Sequence, residues 1–126
     1  MGLKLVIVDD APFIREAVRN ILRESEIQVV AEASDGNEAI EVVLREKPDL
    51  VLMDLIMPHK SGVEATKEII EKYKSVKIIA CSTESQENMV MKAIEAGCCS
   101  FIAKPFGSAE LLQTLRAAVK KKPSNQ

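Results

Sequence analysis

The sequence is poor in aromatic residues, with no Trp, one Tyr and three Phe among its 126 residues. Proteins that bind single-stranded nucleic acid commonly stack the bases on several aromatic side chains. The formal net charge of −2 also provides no positive excess to attract a phosphate backbone. We therefore expect no nucleic acid partner. The one basic block, residues 120–122, is interpreted as a solvated helix end whose lysines complement the helix dipole.

Cysteines and long apolar runs are scarce as well. The three cysteines, Cys81, Cys98 and Cys99, are odd in number and match no zinc-ligand spacing. They indicate a reduced, cytoplasmic chain, and the adjacent pair is interpreted as buried or half-buried thiols rather than a redox sensor. A strand pattern begins near residue 3 without a charged leader, and no apolar stretch approaches the roughly 18 residues of a membrane span. We expect neither a signal peptide nor a membrane partner.

Hydrophobic residues make up 47% of the chain and follow two alternating patterns. Short apolar runs rich in β-branched residues indicate buried strands, and each is followed by apolar residues at helical spacing. The strands are predicted at residues 3–8, 27–33, 50–53, 76–81 and 99–103. Strict alternation is typical of a parallel sheet with helices on both faces. We predict one α/β domain with five strands and five helices over residues 1–122, followed by a short polar tail at residues 123–126.

Capping residues predict where four of the helices begin. The predicted starts are Pro12 in the first turn of helix one, capping boxes at Asp35/Glu38 and Ser61/Glu64, and Ser108 as the cap of helix five. Apolar residues at helical spacing predict the buried faces. These are Ile14, Val18, Ile21 and Leu22; Ala39, Ile40, Val43 and Leu44; Ala65, Ile69, Ile70 and Tyr73; Met89, Val90, Ala93 and Ile94; Leu111, Leu112, Leu115 and Val119.

Polar residues follow four of the predicted strands at the point where each strand ends. Asp9 and Asp10 follow the first strand, Asp54 the third, Ser82 the fourth and Lys104 the fifth, whereas the second strand ends without a comparable group. In a doubly wound, flavodoxin-like sheet of order 2-1-3-4-5, strands one and three are neighbours at the topological switch point. We therefore expect the three carboxylates to meet in one cleft.

Three carboxylates so close repel one another unless some stay protonated or a divalent cation neutralises them. The cation is favoured because Lys104, reaching in from strand five, also favours the charged forms. An all-oxygen cluster of few carboxylates suits Mg²⁺ or Mn²⁺. A carboxylate beside such a cation and an ammonium is a plausible nucleophile toward phosphorus, and it gives an acyl phosphate. Ser82 supplies a hydroxyl donor for a phosphoryl oxygen.

Five motifs, in this order and at strand ends, resemble those of the response-regulator receiver family. They are VIVDD at residues 6–10, LMDLIMP at 52–58, Gly62, IIACS at 78–82 and FIAKPF at 101–106. The resemblance spans almost the whole chain and is greatest to the stand-alone, CheY-like members. It implies a two-component response regulator that accepts a phosphoryl group from a histidine kinase.

The resemblance also implies a role for each site residue. Asp54 matches the phosphoacceptor, and Asp10 and Asp54 match direct Mg²⁺ ligands, joined by the backbone carbonyl of Ile56. Asp9 matches an acid that acts on the metal through water.

Lys104 matches the lysine that bonds the phosphoryl oxygen, and Ser82 and Phe101 match the switch hydroxyl and switch aromatic. The Lys104–Pro105 bond is expected to be cis. Phe101 departs from the Tyr of many chemotaxis members and lacks its phenolic hydroxyl. Ile56 and Glu84 occupy positions that tune dephosphorylation in this family.

The output implied by the resemblance is binding, through the surface formed by helix four, strand five and helix five. The expected target is a component of the flagellar motor switch, and the expected state is a monomer that can dimerise on phosphorylation. The domain is not expected to be an enzyme beyond its own self-phosphorylation and self-dephosphorylation. A phosphorelay shuttle and the receiver part of a longer regulator remain alternatives.

Functions of other classes fit the sequence less well. A haloacid-dehalogenase-type phosphatase would have a second acid where Ile56 stands, and a flavodoxin-like or nucleotide-binding protein would have a phosphate-binding loop in place of residues 9–12. His59, the single histidine, is interpreted as an exposed loop residue. Met89 and Met91 are compatible with either core packing or a partner surface.

Overall fold

The computed structural model describes residues 2–83 and 87–121. Within this part of the chain, strands and helices alternate strictly, as the hydrophobic pattern predicts. The strands are β1 (Leu3–Val8), β2 (Ile27–Ala33), β3 (Leu50–Asp54), β4 (Lys77–Ser82) and β5 (Ser100–Ala103). The helices are α1 (Pro12–Leu22), α2 (Gly36–Glu46), α3 (Gly62–Lys72), α4 (Glu87–Ala96) and α5 (Ser108–Val119). None of the described helices combines the length and apolarity needed to cross a membrane.

The five strands form one parallel sheet in the order β2-β1-β3-β4-β5, which confirms the predicted doubly wound fold. The pairing of β1 with β2 contains one irregularity. Leu5 lies opposite Val29 but Val6 lies opposite Ala31, so Val30 is an extra residue in β2. Because side chains alternate between the faces of a strand, this insertion decides which residues beyond it face α1.

The two faces of the sheet bury separate apolar clusters. Helices α1 and α5 pack on one face, and α2, α3 and α4 pack on the other. In β1, Leu5 and Ile7 contribute to the first cluster, whereas Val6 and Val8 contribute to the second. A strand that is buried on both faces has no solvent side, which explains the continuous apolar runs in the sequence.

Two predicted strand ends lie one residue too early. Asp54 and Ser82 were expected just beyond their strands, but each is the last residue of its strand. The hydrogen-bonded ladder continues through both, since Leu55 N–H donates to the Cys81 carbonyl and Lys104 N–H donates to the Ser82 carbonyl. The starts of β4 and β5, at Lys77 and Ser100, fall one residue later than predicted.

The predicted helix starts are confirmed at α1 and α3, confirmed in part at α2 and wrong at α5. Ser61 and Glu64 form both hydrogen bonds of a capping box. Asp35 accepts from Glu38 N–H at 2.9 Å, but the Glu38 carboxylate accepts from Ser34 N–H at 2.8 Å instead of closing the box on Asp35.

Helix α5 begins differently from the prediction. Ser108 is its first residue and not its cap; Gly107 precedes it with no side-chain capping bond. Helix α1 begins at Pro12 as predicted, where the missing proline N–H costs no hydrogen bond.

Some predicted core positions are wrong because small residues make the closest helix-to-sheet contacts. In α4, Ala93 is buried as predicted, but Ala96 is buried as well and Ile94 is 52% exposed. In α5, Ala118 is buried and Val119 is exposed. In α2, the buried residue missing from the prediction is Val42, and Leu44 is only half-buried. Glu84, Lys122 and residues 123–126, about which the sequence also made predictions, lie outside the described residues.

Candidate functional site

Three carboxylates meet at the carboxyl edge of the sheet. One oxygen from each of Asp9, Asp10 and Asp54 lies within 4.8 Å of the others. Asp9 and Asp54 are buried at 3% and 5% exposure, whereas Asp10 is exposed. The neighbouring strands β1 and β3 deliver them, because both run in the same direction and end at the same level of the sheet.

Lys104 reaches this cluster from the end of β5. Its Nζ atom lies 2.7 Å from Asp9 Oδ2 and 3.7 Å from Asp54 Oδ2. The lysine is therefore hydrogen-bonded to Asp9 and only ion-paired with Asp54. Although burial by itself lowers the pKa of the Lys104 ammonium, the bond to Asp9 and the two carboxylate charges raise it overall, so the lysine stays charged at neutral pH. The Lys104–Pro105 peptide bond is cis.

Asp54 is held in an environment that disfavours its charged form. Burial, assisted by the charge of Asp9, raises the pKa of Asp54 to about 6, and Lys104 and the Ile56 N–H offset only part of this effect. That N–H donates to Asp54 Oδ1 at 3.3 Å. A divalent cation beside Asp54 would favour the ionised carboxylate. Because the three side chains offer only oxygen donors, the cluster fits Mg²⁺ by its chemistry.

The position of Asp9 is fixed by hydrogen bonds to every polar group it carries. Its N–H donates to the Ala33 carbonyl at 3.0 Å, and its Oδ1 accepts from Ala11 N–H at 2.9 Å. Its Oδ2 accepts from Lys104, and its main-chain carbonyl accepts from the guanidinium of Arg15. Asp9 is therefore a rigid, charge-paired acid at the base of the cluster.

Arg15 and its partner Glu32 were missed by the sequence analysis. Arg15 Nε donates to Glu32 Oε1 at 2.9 Å, and Arg19, one turn further along α1, donates to Glu32 Oε2. Glu32 precedes the last residue of β2 and is linked to Asp9 through Arg15, so it is not one of the predicted strand-end groups. The signal available in the sequence was the spacing of two arginines four residues apart on one helix face.

Ser82 and Phe101 lie on neighbouring strands. Ser82 is buried at the end of β4, opposite Ala103, and Phe101 lies opposite Ala80 in β5. Ala80 and Ser82 share a face of β4, and Phe101 packs half-buried against the apolar cluster that contains Ala80. The two residues implied to act as a switch therefore lie near each other on the face covered by α4.

The loop between β3 and α3 folds tightly back over Asp54. Gly62 N–H donates to the Leu55 carbonyl at 3.0 Å, and a Cβ atom on Gly62 would lie 2.1 Å from the Asp54 carbonyl oxygen. Ile56 is half exposed in this loop. His59 is exposed, as predicted, and has a left-handed backbone with φ of 72°. Because glycine has no Cβ atom, Gly62 allows the loop to approach β3 this closely.

The two adjacent cysteines occupy different environments. Cys98 is buried beside Thr66, whereas Cys99 is half-buried and its carbonyl accepts from Lys121. Burial raises the pKa of the Cys98 thiol, and also that of Cys81, to about 12.

Comparison with known proteins identifies the fold and the family of the chain. The response regulator receiver domain family matches residues 5–116. The chemotaxis protein CheY of Listeria monocytogenes is 45% identical over 118 residues, which span 94% of this chain and 99% of that protein. A LuxR-family two-component response regulator from Aurantimonas sp. SI85-9A1 superimposes with a TM-score of 0.91 at 32% identity, over 98% of this chain and 89% of that one. A structure of the CheX–CheY–BeF3–Mg²⁺ complex from Borrelia burgdorferi has a TM-score of 0.90 at 27% identity, over 94% and 90% of the two chains. The chain belongs to the response regulator receiver domain family.

Proposed function

We propose that this receiver domain accepts a phosphoryl group on Asp54 from a phosphohistidine of a histidine kinase. The observation that carries the proposal is the grouping of three carboxylates within 4.8 Å, with the Lys104 ammonium 3.7 Å from Asp54. A carboxylate oxygen of Asp54 forms the new O–P bond, the P–N bond to the donor imidazole breaks, and the imidazole takes up a proton. Small acyl phosphates would serve as donors in the same way, and water would later cleave the acyl phosphate.

The proposed cation site consists of Asp10, Asp54 and the backbone carbonyl of Ile56, with Asp9 acting through water. Both carboxylate oxygens of Asp9 already accept hydrogen bonds, which supports an indirect role. Mg²⁺ would neutralise charge on the transferring phosphoryl oxygens, and Mn²⁺ has the oxygen preference needed to replace it.

Lys104 and Ser82 are proposed to hold the phosphoryl group once it is on Asp54. The Lys104 ammonium needs to move only from Asp9 toward Asp54 to reach a phosphoryl oxygen, since both carboxylates lie within 4 Å of it. The Ser82 hydroxyl would donate to a second oxygen, and Phe101 would move into the space that Ser82 leaves. The added charge of about −1.5 to −2 would thereby bias a two-state element.

The proposed output is a change in the surface formed by α4, β5 and α5, which would bind a target protein. On α4, Met91 and Ile94 are about half exposed, and they give this surface apolar contacts. The resemblance to chemotaxis proteins supports a component of the flagellar motor switch as the target. A phosphorelay shuttle, or the receiver part of a longer regulator, is the alternative. We further propose a cytoplasmic monomer that can dimerise on phosphorylation, with the domain at residues 1–122 and a polar tail at 123–126.

Mass spectrometry after incubation with Mg²⁺ and acetyl phosphate tests the phosphoacceptor. The wild-type protein should gain the mass of one phosphoryl group, and the Asp54→Asn variant should gain none. Asp35→Asn is the matched control, because asparagine preserves the helix cap and lies outside the cluster. Absence of the adduct in the wild type, or its persistence in Asp54→Asn, would reject the proposal.

A second measurement tests the output. Affinity for a flagellar motor switch protein should rise when Asp54 is phosphorylated, and an Ile94→Asp variant should lose that affinity while it still becomes phosphorylated. Equal binding by both forms of the wild type would favour the phosphorelay alternative, in which the phosphoryl group itself is passed on.

A further inference from the structure

We infer that Arg15 is a positioning residue for the cation site, and that it sets the placement of Asp10 without touching it. The inference rests on the proposed function, since it assigns a role in the Mg²⁺ site proposed above. Its basis is the chain of contacts from Glu32 through Arg15 to the main-chain carbonyl of Asp9.

The contact acts through the peptide unit that joins Asp9 to Asp10. The peptide group is planar, so a hydrogen bond that fixes the Asp9 carbonyl also fixes the Cα atom of Asp10. Asp10 is exposed, so packing restrains its side chain less than it restrains the buried Asp9 and Asp54. The direction in which its carboxylate leaves the backbone therefore depends on the peptide that Arg15 holds.

The side chain of Arg15 is itself held in place by a hydrogen bond to Glu32. Its guanidinium is planar and donates in two directions, from Nη1 to the Asp9 carbonyl and from Nε to Glu32 Oε1. Its side chain is 19% exposed, and that of Glu32 is 27% exposed. Glu32 belongs to β2, which is paired with β1. The ion pair of Arg15 with Glu32 therefore links the segment of Asp9 and Asp10 to the sheet.

Arg19 provides a matched control within the same cluster. It also donates to Glu32, from one turn further along α1, but its side chain is 42% exposed and is hydrogen-bonded to Glu32 and not to Asp9. Removal of either arginine deletes one positive charge and one ion pair with Glu32. Only removal of Arg15 releases the Asp9 carbonyl.

Simple electrostatics and positioning predict opposite signs for the effect of Arg15→Met. Loss of a positive charge near the carboxylates should tighten cation binding if charge alone matters. Loss of a positioning contact should weaken it, and partners behind metal ligands typically contribute about 10- to 100-fold in affinity.

Titration calorimetry with MgCl₂ alone measures the Kd of each variant. We expect Arg15→Met to bind about tenfold more weakly and Arg19→Met to stay within about twofold of the wild type. Arg15→Lys should recover part of the loss, since one ammonium can bond the carbonyl but cannot span both partners. Glu32→Gln should weaken binding in the wild type and have no further effect in Arg15→Met, because Glu32 acts through Arg15.

Phosphorylation kinetics give an independent readout. In Arg15→Met the Mg²⁺ concentration for half-maximal phosphorylation by acetyl phosphate should rise, while the rate at saturating Mg²⁺ stays within about twofold of the wild type. Should Arg15→Met fail to fold, Arg15→Lys still tests the same contact without a change in net charge.

Equal or tighter binding by Arg15→Met, or equal weakening by Arg19→Met, would overturn the role of Arg15 and leave the proposed function intact. Failure of the wild type to bind Mg²⁺, or binding that is unaffected by Asp10→Asn, would instead remove the proposed cation site and this role with it.

Discussion

At the scale of single residues, the proposed phosphoacceptor, Asp54, lowers the stability of the metal-free protein at neutral pH. Asp54 has a pKa of about 6 in the folded chain because of burial, against 3.8 for an unperturbed aspartate. The folded state therefore binds the proton more tightly than the unfolded state does. Protonation of Asp54 therefore stabilises the folded state. This stabilisation is fully present below pH 3.8 and is lost as the pH rises through about 6.

We predict that Asp54→Asn is more stable than the wild type at neutral pH when the metal is absent. The difference should be on the order of 2–3 kcal/mol above pH 6 and should shrink toward zero below pH 4, because asparagine does not ionise. Urea unfolding in EDTA across this pH range measures it. A difference that does not vary with pH would contradict the burial effect.

The left-handed backbone conformation of His59 also carries a conformational free-energy penalty. Its φ of 72° is left-handed, and the flanking Lys60 N–H donates to the Pro58 carbonyl in a tight turn. We predict that His59→Gly raises the free energy of unfolding by about 0.5–1 kcal/mol, since glycine avoids the left-handed penalty but has a more flexible unfolded chain. Urea unfolding checks this, with Lys67→Gly inside α3 as a control that should lose about 1 kcal/mol. A less stable His59→Gly would show that the histidine makes a compensating contact.

At the scale of elements, the starts of α3 and α5 look alike in sequence but differ in structure. Ser61 accepts from Glu64 N–H and completes a capping box, whereas Ser108 is already the first residue of its helix. We predict that Ser61→Ala costs about 1 kcal/mol of stability and that Ser108→Ala stays within about 0.5 kcal/mol of the wild type. Thermal and urea unfolding of the pair measure the difference. Equal losses would mean that Ser108 caps α5 in solution.

At the scale of the whole molecule, the fold and most of the site were predictable from the sequence. Parallel strands buried on both faces leave continuous apolar runs, and their carboxyl ends share one edge of the sheet, so Asp9, Asp54 and Lys104 had to converge. The helix faces were less predictable, because buried alanines such as Ala96 and Ala118 carry no strong hydrophobic signal.

The spacing of Arg15 and Arg19 shows that they share a helix face, but the sequence does not show that Glu32 is their partner. The pairing depends on the register of β2 against β1, and one inserted residue in that strand reverses which side chains face α1. The hydrophobic pattern of β2 does not show where the insertion lies, because residues 29–31 form an apolar run without alternation.

The reactivity of the cysteines should report the cooperativity of the whole domain. With pKa values of about 12, the thiols of Cys81 and Cys98 are ionised to only about one part in ten thousand at pH 8, and both are buried. We predict that iodoacetamide modifies half-buried Cys99 first, and that the other two react together, at the rate at which the domain opens globally.

Peptide mass spectrometry of the time course resolves the three sites, and a Cys99→Ser variant should show only the slow reaction. Modification of Cys98 as fast as Cys99 would indicate that the end of α4 opens separately from the rest of the domain.

Val30, the extra residue in β2, determines which side of the sheet Glu32 faces beside the site. With it in place, Glu32 stands opposite Ile7 and on the side of the sheet that α1 covers. Without Val30, every later side chain in β2 would point to the opposite face of the sheet, and Glu32 would point away from Arg15. The geometry of a reactive edge thus depends on the count of residues in a strand that contributes no reactive group of its own.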